Sequence, residues 1–244
     1  VGAMINVVLV HDAWHGAWSW KGVIELLEDA GESRGIGRII APDLPGHGHR
    51  LFDEIRRITQ DHYVNAVVTP VQVNRLTDVV LVGHGFAGTF LPQVALELGD
   101  VVRRVVFIAG LLPPEGKEAY DTLSFPMKLL VQRNRPIENG VTLPRFVFRR
   151  MLCNHLSKSQ TEELLSRLAP DPYLPWRVPI SRQSFVGRFP TTYLALTHDR
   201  LIPLGDQRLY CRSLEASEVV DVDGGHEILL SDPAKISQLL LESV

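Results

Sequence analysis

The chain has 244 residues, 45% of them hydrophobic and 22% charged, with a formal net charge of −3. That length suits one large α/β domain with its own core, or two small ones, and the composition is that of an ordinary globular protein. A slightly acidic balance without a basic stripe excludes a nucleic-acid surface, and no apolar run reaches the roughly 18 residues of a membrane span.

Val1, Gly2 and Ala3 ahead of Met4 read as a leftover before the natural start, and the opening residues lack the charged-then-apolar order of a secretory signal. Ile5 to Val10 is an apolar, β-branched run interrupted only by Asn6, which predicts a buried parallel strand. It runs into His11-Asp12-Ala13-Trp14-His15-Gly16-Ala17-Trp18-Ser19-Trp20, after which Val23, Leu26 and Leu27 keep helical spacing. A second apolar run, Ile36 to Ala41, closes in the loop Pro42-Asp43-Leu44-Pro45-Gly46-His47-Gly48. Thr59 to Leu76 is helical in pattern: Thr59 can cap it, Tyr63, Ala66, Val67 and Val71 share a face, and Pro70 should kink or interrupt it.

Val79 to Val82 then leads into Gly83-His84-Gly85-Phe86-Ala87-Gly88, followed by a helical pattern to Leu98. Strand, sharp turn and helix around a turn edged by small residues, Gly83 on one side and Ala87-Gly88 on the other, match the G-x-S-x-G nucleophile elbow. The elbow needs small edge residues because strand and helix pass close together. Here its centre is Gly85, which has no side chain to offer. A strand from Val101 to Ile108 follows. After Pro113-Pro114 the alternation stops, and residues 113–185 read as a helical cap inserted into a core of residues 1–112 and 186–244. The basic residues of Arg145 to Arg150 read as a solvated helix face. Alternation resumes with Thr191 to Leu196, a helix near Leu204 to Leu214, the strand Val219 to Val222 and a last helix from Asp232. This order predicts a doubly wound, mostly parallel α/β sheet. Its site should lie at the carboxyl ends of the strands, where His11 to Trp14, Gly83 to Phe86, Asp199 and His226 fall.

The succession His-x-x-x-His-Gly-Ala-Trp-x-Trp, Asp-Leu-Pro-Gly-His-Gly, Gly-His-x-x-x-Gly, cap, His-Asp-x-x-Ile-Pro and Gly-Gly-His resembles the α/β-hydrolases along nearly the whole chain. More narrowly, His11 to Trp20 resembles the branch of plant methyl esterases, hydroxynitrile lyases and their bacterial esterase relatives. The resemblance implies an α/β-hydrolase fold in which Asp199 is the acid and His226 the base. It also implies an oxyanion hole made of the backbone N–H groups of Phe86 and Ala13. Asp12 stands where the resembling enzymes carry a small or polar residue. A carboxylate there can orient a substrate hydroxyl, accept a proton or raise the pKa of His226, or it can simply cap the following helix. Glu227 reads as a solvated surface acid and His84 as a packed, hydrogen-bonded histidine. Trp14 and Trp176 are core by default and can wall a pocket for an aromatic or polycyclic substrate.

Three readings of Gly85 stay open. One is an enzyme without a serine, using His226 and Asp199 for non-hydrolytic proton transfer of the lyase, isomerase or cyclase type, or for water-mediated hydrolysis. Another is a carboxylic ester hydrolase whose elbow serine has been replaced, in which Gly85→Ser should cost little and restore acyl-enzyme formation. The third is a catalytically dead binding protein. No cofactor or metal is expected: Gly46-x-Gly48 lacks the nucleotide fingerprint, and no His/Cys cluster has metal-ligand spacing. The expected partner is a small-molecule substrate, with a homodimer compatible with the composition. Cys153 and Cys211 are too few for a disulfide framework, so a reducing, cytoplasmic setting is expected.

Overall fold

The computed structural model describes residues 4–51 and 54–243; Val1 to Ala3 lie outside them. Among the described residues there are six strands: β1 (Ile5–Val10), β2 (Ile36–Ile40), β3 (Val79–His84), β4 (Val102–Ile108), β5 (Thr191–Leu196) and β6 (Glu218–Val222). They build one sheet in the order β2-β1-β3-β4-β5-β6, with every pairing parallel.

Side chains along a strand alternate between faces, and both faces of the central strands are covered, which is why β1, β3 and the second half of β4 read as largely apolar runs. Val8 and Val10 of β1, Val79 and Leu81 of β3 and Val105 and Phe107 of β4 pack into one core. Their neighbours Val7, Leu9, Val80, Val82, Val106 and Ile108 pack into the other. The second core is closed by α1 (Lys21–Ala30), through Val23 and Leu27, and by a carboxyl-terminal helix at Pro233–Glu242, through Ile236 and Leu240. The first is closed by α2 (Gln60–Val73) and α3 (Leu91–Leu98).

Thr59 precedes α2 and its N–H donates to His62 Nδ1 at 3.1 Å. Pro70 does not interrupt this helix, which runs unbroken from Gln60 to Val73. Proline removes only one donor, while Tyr63, Val64, Val67, Val68 and Val71 are all buried against the sheet and hold the segment helical. Between β4 and β5 the chain forms α4 (Phe125–Arg133), α5 (Pro136–Asn139), α6 (Arg145–Leu152) and α7 (Lys158–Arg167) and no strand among the described residues. Within it, Arg145 and Arg149 pair with Glu162 across α6 and α7, on the solvent side. After β5 come α8 (Leu204–Ser213), α9 (Ile228–Ser231) and α10, the Pro233–Glu242 helix already described. Asp232 caps α10, accepting from Lys235 N–H at 3.0 Å. Both cysteines are free and buried. No described helix is long and apolar enough to cross a membrane.

One feature of the sheet positions the site. Strand order reverses between β1 and β3, the switch point at which α/β sheets open a crevice. Val10 is paired with Gly83 in that register. Two residues further along each strand, Asp12 meets Gly85.

Candidate active site

The elbow is as tight as its glycines suggest. A Cβ at Gly88 would lie 2.7 Å from the Leu111 carbonyl oxygen, and one at Gly83 would lie 2.8 Å from Leu91 Cδ2. Gly85 has a φ of +51°, the left-handed conformation in which an elbow holds its central residue. The turn continues as a single 3₁₀ segment, Gly85–Thr89, before α3 begins. The space that a side chain at position 85 would take is not free. A Cβ there would overlap Oδ1, Cγ and Oδ2 of Asp12, the farthest of the three only 2.5 Å away, where ordinary carbon contacts lie at about 3.5–4.0 Å.

Asp12 is therefore no helix cap. Its Oδ1 accepts the backbone N–H of Phe86, and its Oδ2 lies 2.8 Å from His226 Nε2. On the other side of the imidazole, His226 Nδ1 lies 2.7 Å from Asp199 Oδ2. Asp199 Oδ1 accepts the N–H groups of Leu201 at 2.8 Å and Ile202 at 2.9 Å, so this residue both closes its turn and orients the histidine. His226 is fully buried and Asp12 is 2% exposed. Burial opposes charge on His226, yet Asp199 and then Asp12 outweigh it and raise its pKa well above the ordinary histidine value. Burial likewise pushes Asp12 upward, but the hydrogen bond and charge of His226 win, and Asp12 stays below the usual carboxylate range. The centre is thus an imidazolium clamped between two carboxylates. The Phe86 N–H expected to form part of an open oxyanion hole is already occupied by Asp12 Oδ1. Ala13 lines the same wall.

Gly85→Ser, expected to cost little, would bring its Cβ into the Asp12 carboxylate. That correction follows from the β1–β3 register, which no local motif reports.

Two histidines back the centre. His84 donates from Nε2 to the His226 carbonyl at 3.0 Å and lies against its ring, tilted by 31° with centroids 4.7 Å apart. Burial and then the His226 charge hold the His84 pKa down to about 4, so it is neutral. His84 Nδ1 is buried without a hydrogen-bond partner among the described residues. Glu227, expected at the surface, is 2% exposed and accepts from His15 Nε2 at 3.2 Å. Burial favours neutral forms of both, but each outweighs it for the other: His15 is raised and Glu227 lowered. The correction has a plain cause. The turn into α9 carries Glu227 inward beneath the His11-to-Trp20 loop, and that loop supplies the cation.

The mouth of the site is an apolar cavity of about 280 Å³, with Asp12 in its wall together with Trp14, Phe86, Leu111, Met127 and Trp176. Trp14 and Trp176 stand 5.6 Å apart, and Trp176 stacks on Phe86 at 4.8 Å. Trp14 adopts a φ of +66°, an uncommon conformation for a bulky residue. It is held there by its Nε1–H donating to the Val141 carbonyl at 2.8 Å and its carbonyl accepting Ala169 N–H at 2.9 Å. Asp171 completes the attachment of the segment between β4 and β5. Fully buried, it accepts from Trp176 Nε1 and from the Tyr63 hydroxyl, and its Oδ1 lies 2.8 Å from His47 Nε2. Sequence reading passed over Asp171, because its signal is the burial of a carboxylate and only the fold shows that.

Asp12, His84 and His226 each bring one donor atom within 4.8 Å of the others, the described side chains best placed to hold a cation. Local spacing did not reveal this trio, whose members come from the end of β3 and from the separate turns after β1 and β6. A metal there would have to displace the His226 Nε2 proton, whose hydrogen bond Asp12 now accepts.

The chain belongs to the alpha/beta hydrolase family, whose model matches residues 7–239. Its relatives place it among enzymes of the esterase and lyase type. It is 31% identical over 113 residues to a carbendazim hydrolyzing esterase of Nocardioides sp. (strain SG-4G), a match covering 46% of this chain and 45% of that protein, so about half of each. It is 25% identical over 256 residues to an alpha-hydroxynitrile lyase of Arabidopsis thaliana, covering 95% and 93%. Among solved structures, an extracellular alpha/beta-hydrolase from a Paenibacillus species superposes with a TM-score of 0.85 at 24% identity, covering 98% of each chain.

Proposed function

We propose that this protein is a cofactor-independent enzyme acting on a small, largely apolar molecule, with no serine intermediate and with His226 moving the proton. The observation that carries the reading is the Asp12 carboxylate, which fills the side-chain space of position 85 and pairs with His226 at 2.8 Å. Around it, Asp199 orients the imidazole and Trp14 and Trp176 wall a cavity of about 280 Å³, a size that suits an aromatic body. The similarity to an esterase and to a hydroxynitrile lyase supports a small-molecule substrate. An ester hydrolase with serine at position 85 fits less well, because serine would displace the carboxylate that now completes the site.

The test is a turnover screen of aryl esters, cyanohydrins, epoxides and alkyl halides, run beside a serine-directed fluorophosphonate label. Turnover abolished by His226→Ala, with no covalent labelling by the phosphonate, is the expected result. Stoichiometric phosphonylation of an active-site serine, or turnover indifferent to His226, would refute it.

A further inference from the structure

The Asp12 carboxylate has three properties that a proton acceptor does not need. It lies in the wall of the cavity. It occupies the side-chain space of the elbow residue, the place from which this fold delivers its nucleophile. And its Oδ1 already accepts the elbow N–H, from Phe86, that in acyl transfer receives the developing oxyanion. Its state points the same way. A carboxylate kept ionised by an adjacent imidazolium is a weak base, poorly matched to pulling a proton from carbon, while its negative charge is the form in which a carboxyl group acts as a nucleophile.

Deepening the reading just given, and resting on it, we propose that Asp12 is the covalent nucleophile of this enzyme, moved from the elbow to the end of β1, and that its substrates carry an electrophilic saturated carbon, as epoxides and alkyl halides do.

The chemistry selects that class. Attack of a carboxylate on an ester carbonyl would give an anhydride, which is higher in energy than the substrate, whereas attack on a saturated carbon gives an ordinary ester. In the first step an Asp12 oxygen forms a bond to the substrate carbon, and the bond to the leaving group breaks with its electron pair. An epoxide oxygen leaves as an alkoxide and takes the His226 proton; a halide leaves as the anion, and His226 then releases its proton to water. Esterification removes the charge of Asp12, so His226 keeps one carboxylate partner instead of two and gives up its proton more readily. In the second step His226 takes a proton from water as the water oxygen attacks Asp12 Cγ. Negative charge develops on the Asp12 oxygen that already faces Phe86 N–H. The bond from Cγ to the alkyl oxygen breaks, the alcohol takes the proton back from His226, and the regenerated carboxylate holds one oxygen from water. The sum is substrate plus water giving diol, or alcohol plus hydrogen halide. An N–H that would wait empty for a substrate carbonyl in a serine enzyme here serves the ester of Asp12 itself.

The experiment uses the full chain with styrene oxide and benzyl bromide as probes and 4-nitrophenyl acetate as the ester control. A single turnover with enzyme in excess, run in oxygen-18 water, is followed by digestion and mass spectrometry of the peptide carrying Asp12. Expected are oxygen-18 in that peptide and unlabelled oxygen in the first-turnover product. In His226→Ala the protein should gain the mass of the alkyl group and keep it. Asp12→Asn, which retains an acceptor for Phe86 N–H, should lower turnover of these probes by at least about 10³-fold, within the range for loss of a nucleophile. Oxygen-18 appearing only in the product, or no turnover of either probe above buffer, overturns the proposal. If His226-dependent turnover of cyanohydrins or esters persists in that case, the broader acid–base reading stands without it.

Discussion

Gly85→Ala is the sharpest perturbation the structure offers, because it adds one carbon atom and nothing else. A left-handed residue other than glycine costs about 1–2 kcal/mol, and φ here is +51°. The added Cβ also cannot coexist with Asp12 where it stands. Turning that carboxylate away breaks its hydrogen bonds to Phe86 N–H and His226 Nε2, each worth about 1.5–3 kcal/mol when one partner is charged. The sum is about 4–8 kcal/mol, a large share of the roughly 5–15 kcal/mol that holds a typical protein folded. Urea unfolding at pH 7 of the parent chain, Gly85→Ala, Asp12→Ala and the double variant measures it. Asp12→Ala vacates the space, so Gly85→Ala on that background should cost only the backbone part, about 1–2 kcal/mol. A coupling of about 3 kcal/mol or more between the two sites is therefore expected. Additive effects, or a Gly85→Ala chain within about 1 kcal/mol of the parent, would mean that Asp12 does not depend on the missing side chain. An acyl-enzyme burst from Gly85→Ser would carry the same message.

His226→Ala should lower turnover of whichever substrate the screen identifies by about 10²–10⁴-fold; a change within a few-fold would remove His226 from the chemistry. In Asp12→Asn the imidazole keeps only Asp199 as a charged partner, so its pKa, read by NMR titration, should fall from the raised value it has now; an unmoved titration would contradict the clamp. Glu227→Leu leaves His15 buried without its partner and should cost about 3–5 kcal/mol, whereas a surface acid would cost no more than about 0.5 kcal/mol; urea midpoints decide between them. Stability should also fall as the pH drops below about 6.5, because burial keeps His84 near 4 and His11 below its ordinary value, so the unfolded chain binds more protons. His84 alone contributes roughly 3 kcal/mol to that loss. His226 and His15 have raised values, so their contribution is full below about 6.5 and disappears as the pH rises through those values. Unfolding midpoints that climb between pH 6.5 and 4.5 would refute the assignment.

The sequence by itself determined the strands, the elbow and the identity of the paired groups. Ile5 to Val10 and Thr191 to Leu196 are strands to the residue, because a parallel strand covered on both faces is predominantly apolar and β-branched. Gly83 and Gly88 mark the elbow because close backbone approach leaves no room for larger residues there. His226 and Asp199 were legible because their motifs follow strands at the same sheet edge, and the structure brings them to 2.7 Å. Proline's local penalty suggested a break at Pro70, and buried valines on either side of it overrode that penalty. Glu227 looked exposed because a carboxylate usually is, and only the loop carrying His15 makes its burial tolerable. Position 12 shows the difference most plainly. As letters, Asp12 and Gly85 are two oddities 73 residues apart. The pairing of Val10 with Gly83 makes them one feature, since it lays a carboxylate into the volume that a missing side chain leaves open. Periodicity and turn chemistry act over a few neighbouring residues, so the sequence carries them openly. Which residue fills another's space depends on strand register and packing across the sheet, and those are settled only when the whole chain has folded.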